Sequence, residues 1–264
     1  MTAKKPQSHS KKSTEASRLG QPRLLGRVAV VTGGSRGIGY GIARTLAVEG
    51  CSVVITGRNQ STLDKSAADI RKSLGPQSES GRILPIVCNV RNADSVSSSF
   101  SAIKEAFGKI DVLVNNAGIT QPILTVEETP LEVWRDVIDT NLTGIFLCTR
   151  AALPMMQAGG TIINNLSAAA EQVFSKYATY SAAKRGALGF TLSLREELIP
   201  RGIRVMALMP GATATDMWDQ IMPGAPRDRM IDVESIAQTV LYAVLLPPNV
   251  NPSQIRLDPA GGAL

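Results

Sequence analysis

From Arg27 onward the chain alternates short β-branched runs with longer stretches of helical character, and this alternation limits the possible architectures more than any other feature. Arg27–Thr32 reads as a strand and roughly Gly37–Val48 as a helix, and Cys51–Thr56 with about Ser61–Leu74 repeats the pair. Gly75–Gly81 is a loop by composition. A third strand, Ile83–Asn89, leads to a helix over about Ala93–Phe107 and a fourth strand, Ile110–Val114. A long helix from about Leu131 to Met156 precedes strand Thr161–Leu166, a helix over about Tyr177–Ile199 and strand Ile203–Leu208. After an irregular stretch come a helix over about Val233–Leu245 and a last strand, Gln254–Asp258. Several strands are apolar on both faces, which implies a parallel sheet covered by helices on each side. The expected fold is α/β, one doubly wound parallel sheet in a single domain over residues 25–264.

Composition removes several classes of function. Of 264 residues 44% are hydrophobic and 19% charged, as in ordinary globular proteins, so wholesale disorder is excluded. No run approaches the ~20 apolar residues of a membrane helix, and no membrane partner is expected. Cys51, Cys88 and Cys148 lie far apart, without metal-ligand spacing, and no metal site is expected. The only histidine, His9, lies in a polar tail, which leaves no Ser-His-Asp triad and no histidine base. The net charge of +6 is concentrated at the start of the chain. There Lys4, Lys5, Lys11, Lys12, Arg18 and Arg23 face only Glu15, and the rest of the sequence is nearly neutral. Residues 1–24 thus read as a disordered basic Ser/Lys-rich leader rather than a face that tracks phosphates, and no nucleic-acid partner is expected. No apolar segment follows the lysines to make a secretory signal. The expected location is the cytoplasm, with organelle targeting by the leader left open.

Thr32-Gly33-Gly34-Ser35-Arg36-Gly37-Ile38-Gly39 follows the first strand and opens the first helix. Open α/β sheets bind ligands at the carboxyl ends of their strands. Glycines there let backbone N–H groups approach a pyrophosphate, and the helix start adds partial positive charge. The spacing is not that of a P-loop. It resembles the T-G-x-x-x-G-I-G turn of the short-chain dehydrogenase/reductase family, a Rossmann-type fold. Three further motifs stand in that family's order: Asn115-Asn116-Ala117-Gly118, Tyr180-Ser-Ala-Ala-Lys184 and Pro210-Gly211. The similarity covers about Gly26 to Pro259.

The second strand of NAD enzymes usually ends in an acid that holds the ribose hydroxyl. Here Gly57 and Arg58 stand at that point, and Arg36 lies in the glycine turn. Two guanidinium groups and no carboxylate suit a 2′-phosphate, so NADP(H) is expected in preference to NAD(H). The resemblance assigns cofactor contacts to Thr32, Gly33, Ser35, Arg36, Gly37, Ile38, Gly39, Arg58, Asn89, Val90, Asn116, Ala117, Gly118, Tyr180 and Lys184. It also assigns the nicotinamide side to Pro210, Gly211, Thr213 and Thr215. Asn89 replaces the family's usual aspartate beside the adenine; its amide both donates and accepts.

Tyr180 and Lys184 are four apart on a predicted helix and share a face. Ser167 precedes Tyr180 by the family's spacing and Asn141 matches its helical asparagine, so the resemblance implies an Asn141–Ser167–Tyr180–Lys184 tetrad. Bringing a phenol from about 10 to neutrality costs about 4 kcal/mol. A cation about 4 Å away supplies roughly that at an effective dielectric of about 20, so Lys184 is expected to provide most of the shift. Tyr180 then exchanges a proton with the substrate oxygen while Ser167 donates a hydrogen bond to it. The family role of Lys184 includes holding the ribose, and that of Asn141 positioning a water. Tyr177, followed by Ser181 rather than lysine, is discounted as a base.

The expected function is hydride transfer between NADP(H) and a carbonyl or secondary alcohol. A 3-oxoacyl thioester reductase, or a catalytically silent NADP(H)-binding sensor or scaffold, is the alternative. Substrate contacts fall to the loops at the same sheet end, with Gln121, Phe174, Met217 and Trp218 as candidates. Arg227 and Arg229 read as solvated charges. Family analogy implies a homodimer or homotetramer paired through the long helices near 131–156 and 177–199.

Overall fold

The computed structural model describes residues 22–74 and 81–262; residues 1–21 of the basic leader and most of the expected loop at 75–81 lie outside the described residues. The strands are β1 (Val28–Thr32), β2 (Ser52–Gly57), β3 (Ile83–Val87), β4 (Val112–Asn115), β5 (Thr161–Asn165), β6 (Arg204–Pro210) and β7 (Gln254–Leu257). They form one sheet in the order β3-β2-β1-β4-β5-β6-β7, and every pair is parallel. The register sets Thr32 beside Thr56, Val31 beside Val114 and Asn165 beside Leu208, so the strands end along a common edge. The chain winds outward from β1 to β3, returns to β4 and winds the other way. The reversal between β1 and β4 opens a crevice where ligands bind in such sheets.

The helices are α1 (Gly37–Val48), α2 (Gln60–Ser73), α3 (Ala93–Phe107), α4 (Leu131–Ile138), α5 (Gly144–Ala152), α6 (Ala178–Leu198), α7 (Trp218–Ile221) and α8 (Val233–Leu245). Side chains along β1 alternate between two cores. Ala29 and Val31 join Ile42 and Leu46 of α1, Ile70 of α2 and Ile236 of α8. Val30 instead meets Phe100 of α3, Leu147 of α5 and Leu194 of α6. Burial on both faces explains the unbroken apolar runs, each large side chain contributing about 1.5–3 kcal/mol.

Two expectations are corrected here. The helix expected over 131–156 is α4, a π turn at Asp139–Thr143, α5 and a 3-10 turn at Leu153–Met155. The extra residue of the π turn places Asn141 fully inside. The folded chain also begins before Leu25. Leu24 is buried among the α1 side chains, its N–H bonds Glu49 O at 2.8 Å, and Arg23 pairs with the Glu49 carboxylate. Among the described residues no helix is long and apolar enough to cross a membrane.

Candidate active site

A cavity of about 530 Å³ lies along the carboxyl ends of the strands. Its floor is the β1–α1 turn. Gly33 and Gly37 have φ of +63° and +53°, which disfavours side chains, and a Cβ on Gly33 would stand 2.9 Å from Ala117 Cα. The first turn of α1 has neither a side-chain cap nor an acidic residue, so its N–H groups suit an anion. The cradle fits the pyrophosphate of a dinucleotide.

Polar side chains tie this floor to the catalytic helix. Thr32 Oγ1 accepts from the N–H groups of Asn116 and Ala117 at 2.9 and 3.0 Å. Asn116 Nδ2 donates to the carbonyls of Thr32 and Gly33, and Asn165 Nδ2 donates to Asn116 Oδ1 at 2.8 Å. Lys184 Nζ then donates to Asn165 O at 3.3 Å. The ammonium thus hangs from a network spanning β1, β4 and β5.

Tyr180 and Lys184 both project into the cavity from α6, with Lys184 Nζ 5.4 Å from the Tyr180 ring centre. Ser167, on the same wall, accepts from Ala169 N–H at 3.1 Å, which leaves its own proton to donate elsewhere. Asn141 lies beneath the wall. Its amide exchanges two bonds with the Ile119 backbone, and a Cβ on Gly118 would meet Asn141 Oδ1 at 2.7 Å and Lys184 Nζ at 3.7 Å.

Burial dominates the titration of both groups. It pushes the Tyr180 hydroxyl above its ordinary value, with Tyr177 adding to the rise and Ser167 opposing it. It also pushes Lys184 down to about 8. Burial thus opposes the lowering expected from Lys184, and the protonated phenol is the form from which a proton donor starts.

Most of the predicted residues line the cavity: Gly33, Ser35, Arg36, Gly37, Ile38, Arg58, Asn89, Val90, Asn116, Ala117, Gly118, Pro210, Gly211, Thr213 and Thr215. Arg36 and Arg58 are exposed, and neither pairs with a carboxylate among the described residues. Thr32 and Gly39 lie below the wall instead. Gly39 is packed so tightly that a Cβ would stand 2.3 Å from Asn116 Nδ2. Phe174, Met217 and Trp218 form the apolar side with Ile123 and Met222.

Gln121 is not among the lining residues and is 1% exposed, because its amide bonds the backbone at the start of α6. Arg227 is not simply solvated: it bonds Thr215 O and the Asp219 carboxylate, fastening the loop over the cavity. Sequence reasoning discounted Tyr177, yet it lines the cavity with its ring 4.9 Å from that of Tyr180 and its hydroxyl bonded to Thr120. The three-residue spacing on one helix was the available signal. Arg91, also overlooked, lines the cavity and pairs with Asp136.

A family model for short chain dehydrogenases matches residues 27–225. The chain belongs to the short-chain dehydrogenases. As a member of that family it is an oxidoreductase acting on carbonyl and alcohol groups. It is 40% identical over 232 residues to a 3-oxoacyl-[acyl-carrier-protein] reductase of Synechocystis, covering 85% of this chain and 91% of that one. A Vibrio cholerae protein of the same description is 37% identical over 229 residues, covering 83% and 90%. Among solved structures, a short chain dehydrogenase from Burkholderia cenocepacia in complex with NADP superimposes with a TM-score of 0.80 at 30% identity, covering 89% of this chain and 98% of that one. A dehydrogenase/reductase from Sinorhizobium meliloti gives 0.82 at 33% identity, covering 94% and 100%.

Proposed function

We propose that this short-chain dehydrogenase reduces a carbonyl of a 3-oxoacyl thioester with NADPH. The observation that carries the reading is one cavity with Tyr180, Lys184 and Ser167 at one place and the glycine turn with two carboxylate-free arginines at another. When bound there, the reduced nicotinamide supplies hydride. Arg36 and Arg58 would hold the 2′-phosphate, the α1 start would hold the pyrophosphate, and Pro210, Gly211, Thr213 and Thr215 would border the nicotinamide side. Asn89 and Val90 would border the adenine, and Lys184 would hold the ribose.

Ser167 donates a hydrogen bond to the carbonyl oxygen and Tyr180 delivers its proton to that oxygen as the alkoxide forms. The Lys184 ammonium, 5.4 Å from the centre of the same ring, favours the phenolate left behind; unit charges about 5 Å apart at an effective dielectric near 20 attract by about 3 kcal/mol. Lys184 and Asn141 flank Gly118, an arrangement suited to a water between them through which the proton is replenished. The apolar wall of Ile123, Phe174, Met217, Trp218 and Met222 suits an acyl chain, and the relatives' descriptions name the thioester.

Pairing of two copies through α4–α6 is supported by exposed Leu131, Trp134 and Phe146 on those helices, and we assign a homodimer or homotetramer. Three buried, unpaired cysteines suit a reducing cytoplasm. The test is steady-state NADPH oxidation with a 3-oxoacyl thioester against a panel of simple ketones. Turnover that favours the thioester supports the reading, and turnover of ketones alone refutes its substrate.

A further inference from the structure

We propose that Gln121 is a positioning residue for proton transfer, holding the start of the catalytic helix so that Tyr180 meets the substrate oxygen. An α-helix leaves its first N–H groups unsatisfied, and a Ser, Thr, Asp or Asn at the N-cap normally accepts from one of them. The N-cap of α6 is Tyr177, which offers no such acceptor. Tyr180 is the third helical residue, and its orphan N–H donates to Gln121 Oε1 at 2.7 Å, an acceptor 59 residues away in sequence.

The other end of the same amide donates to Pro122 O at 3.1 Å and Lys176 O at 3.3 Å. Lys176 is the only described non-glycine residue with positive φ, at 59°, so Gln121 also holds the left-handed turn that starts the helix. The amide has an acceptor facing a donor and a donor facing two acceptors, which fixes its orientation. Gln121 is 1% exposed, so water does not replace these bonds.

Two further contacts join the same segment to the site. Thr120 Oγ1 bonds the Tyr177 hydroxyl, and Ile119 exchanges both backbone groups with the Asn141 amide. The 119–121 strip thus links the π turn to the catalytic helix, and Gln121 is its contact with the Tyr180 backbone itself. Displacement of a reacting group by about 1 Å costs about 100-fold in rate.

The proposal rests on Tyr180 as proton donor, and its test separates the two. Gln121→Met keeps the volume and removes all three bonds. It should lower kcat about 10- to 100-fold with the NADPH Kd changed less than about 2-fold. Gln121→Glu, when protonated, reproduces both the acceptor and the donor; when ionised it faces the carbonyls of Pro122 and Lys176. The titratable residues beside it are Lys176, Tyr177 and Tyr180, with Lys184 one turn further along the helix; 119–124 carries none.

Gln121→Glu should therefore approach wild-type kcat at low pH and lose it as pH rises through the new carboxyl, an ionisation absent from wild type. Unchanged kcat in Gln121→Met overturns the proposal, as does a Gln121→Glu profile parallel to wild type at every pH. If Gln121→Met does not fold, the Gln121→Glu profile alone decides. Turnover by Tyr180→Phe removes the proton-donor reading together with this one. Loss in Tyr180→Phe beside a normal Gln121→Met removes only this one.

Discussion

Replacing Arg58 with aspartate should turn the cofactor preference around. Arg58 follows the last residue of β2 and Arg36 occupies the position just before α1; both are exposed and line the cavity. Exposure keeps the effective dielectric near that of water, where a unit charge pair about 4 Å apart is worth about 1 kcal/mol. A phosphate monoester carries about −1.5 to −2 charges, so one arginine contributes about 1.5–2 kcal/mol toward NADPH. Aspartate replaces that attraction with a comparable repulsion, a swing of about 3–4 kcal/mol, or roughly 100- to 1000-fold in Kd. NADH lacks the phosphate and gains a carboxylate able to accept from its ribose hydroxyl, worth about 1 kcal/mol. Arg58→Gln loses only the attraction and should weaken NADPH about 10- to 30-fold. Fluorescence titration with both dinucleotides checks this at low and high salt, because ions should erode the NADPH advantage. Retained NADPH preference in Arg58→Asp, or equal losses in the Gln and Asp variants, would refute the reasoning.

Three further outcomes follow from the site. Gly118→Ala pushes a methyl to 2.7 Å from Asn141 Oδ1, which Ile119 holds in place. It should lower stability by about 1–3 kcal/mol in denaturant melts and cut kcat at least tenfold. Burial lowers Lys184 from 10.5 to about 8, so its proton leaves early as pH rises. The reductive kcat/KM should be level below about pH 8 and fall above it, a limb that Lys184→Met lacks. The sign for stability is opposite. Between about 8 and 10.5 the unfolded chain binds more protons, so this group makes the fold more stable as pH climbs, measurable by melts across that window.

Much of the architecture was legible because it follows from local periodicity. The helices expected at Gly37–Val48, Ala93–Phe107 and Val233–Leu245 have those bounds in the structure, and the apolar runs became central parallel strands. The π turn at Asp139–Thr143 was not legible, since one extra residue leaves the apolar pattern of Leu131–Met156 intact. Gln121 was misassigned to the substrate because its partners, the backbone of Lys176 and Tyr180, are distant in sequence. The titration of Tyr180 was judged from Lys184 without the opposing effect of burial. The motif names the cation, but burial, which sets the direction, is a property of the packed chain.

The central claim is that Tyr180 delivers the proton beside the Lys184 ammonium. Single-turnover NADPH oxidation by Tyr180→Phe, with cofactor binding measured on the same sample, tests it most directly. The account predicts a rate at least 100-fold lower with the NADPH Kd changed less than about 3-fold, since the cradle at Gly33–Gly37 does not involve the hydroxyl. A Tyr180→Phe enzyme that oxidises NADPH at the wild-type rate would contradict it.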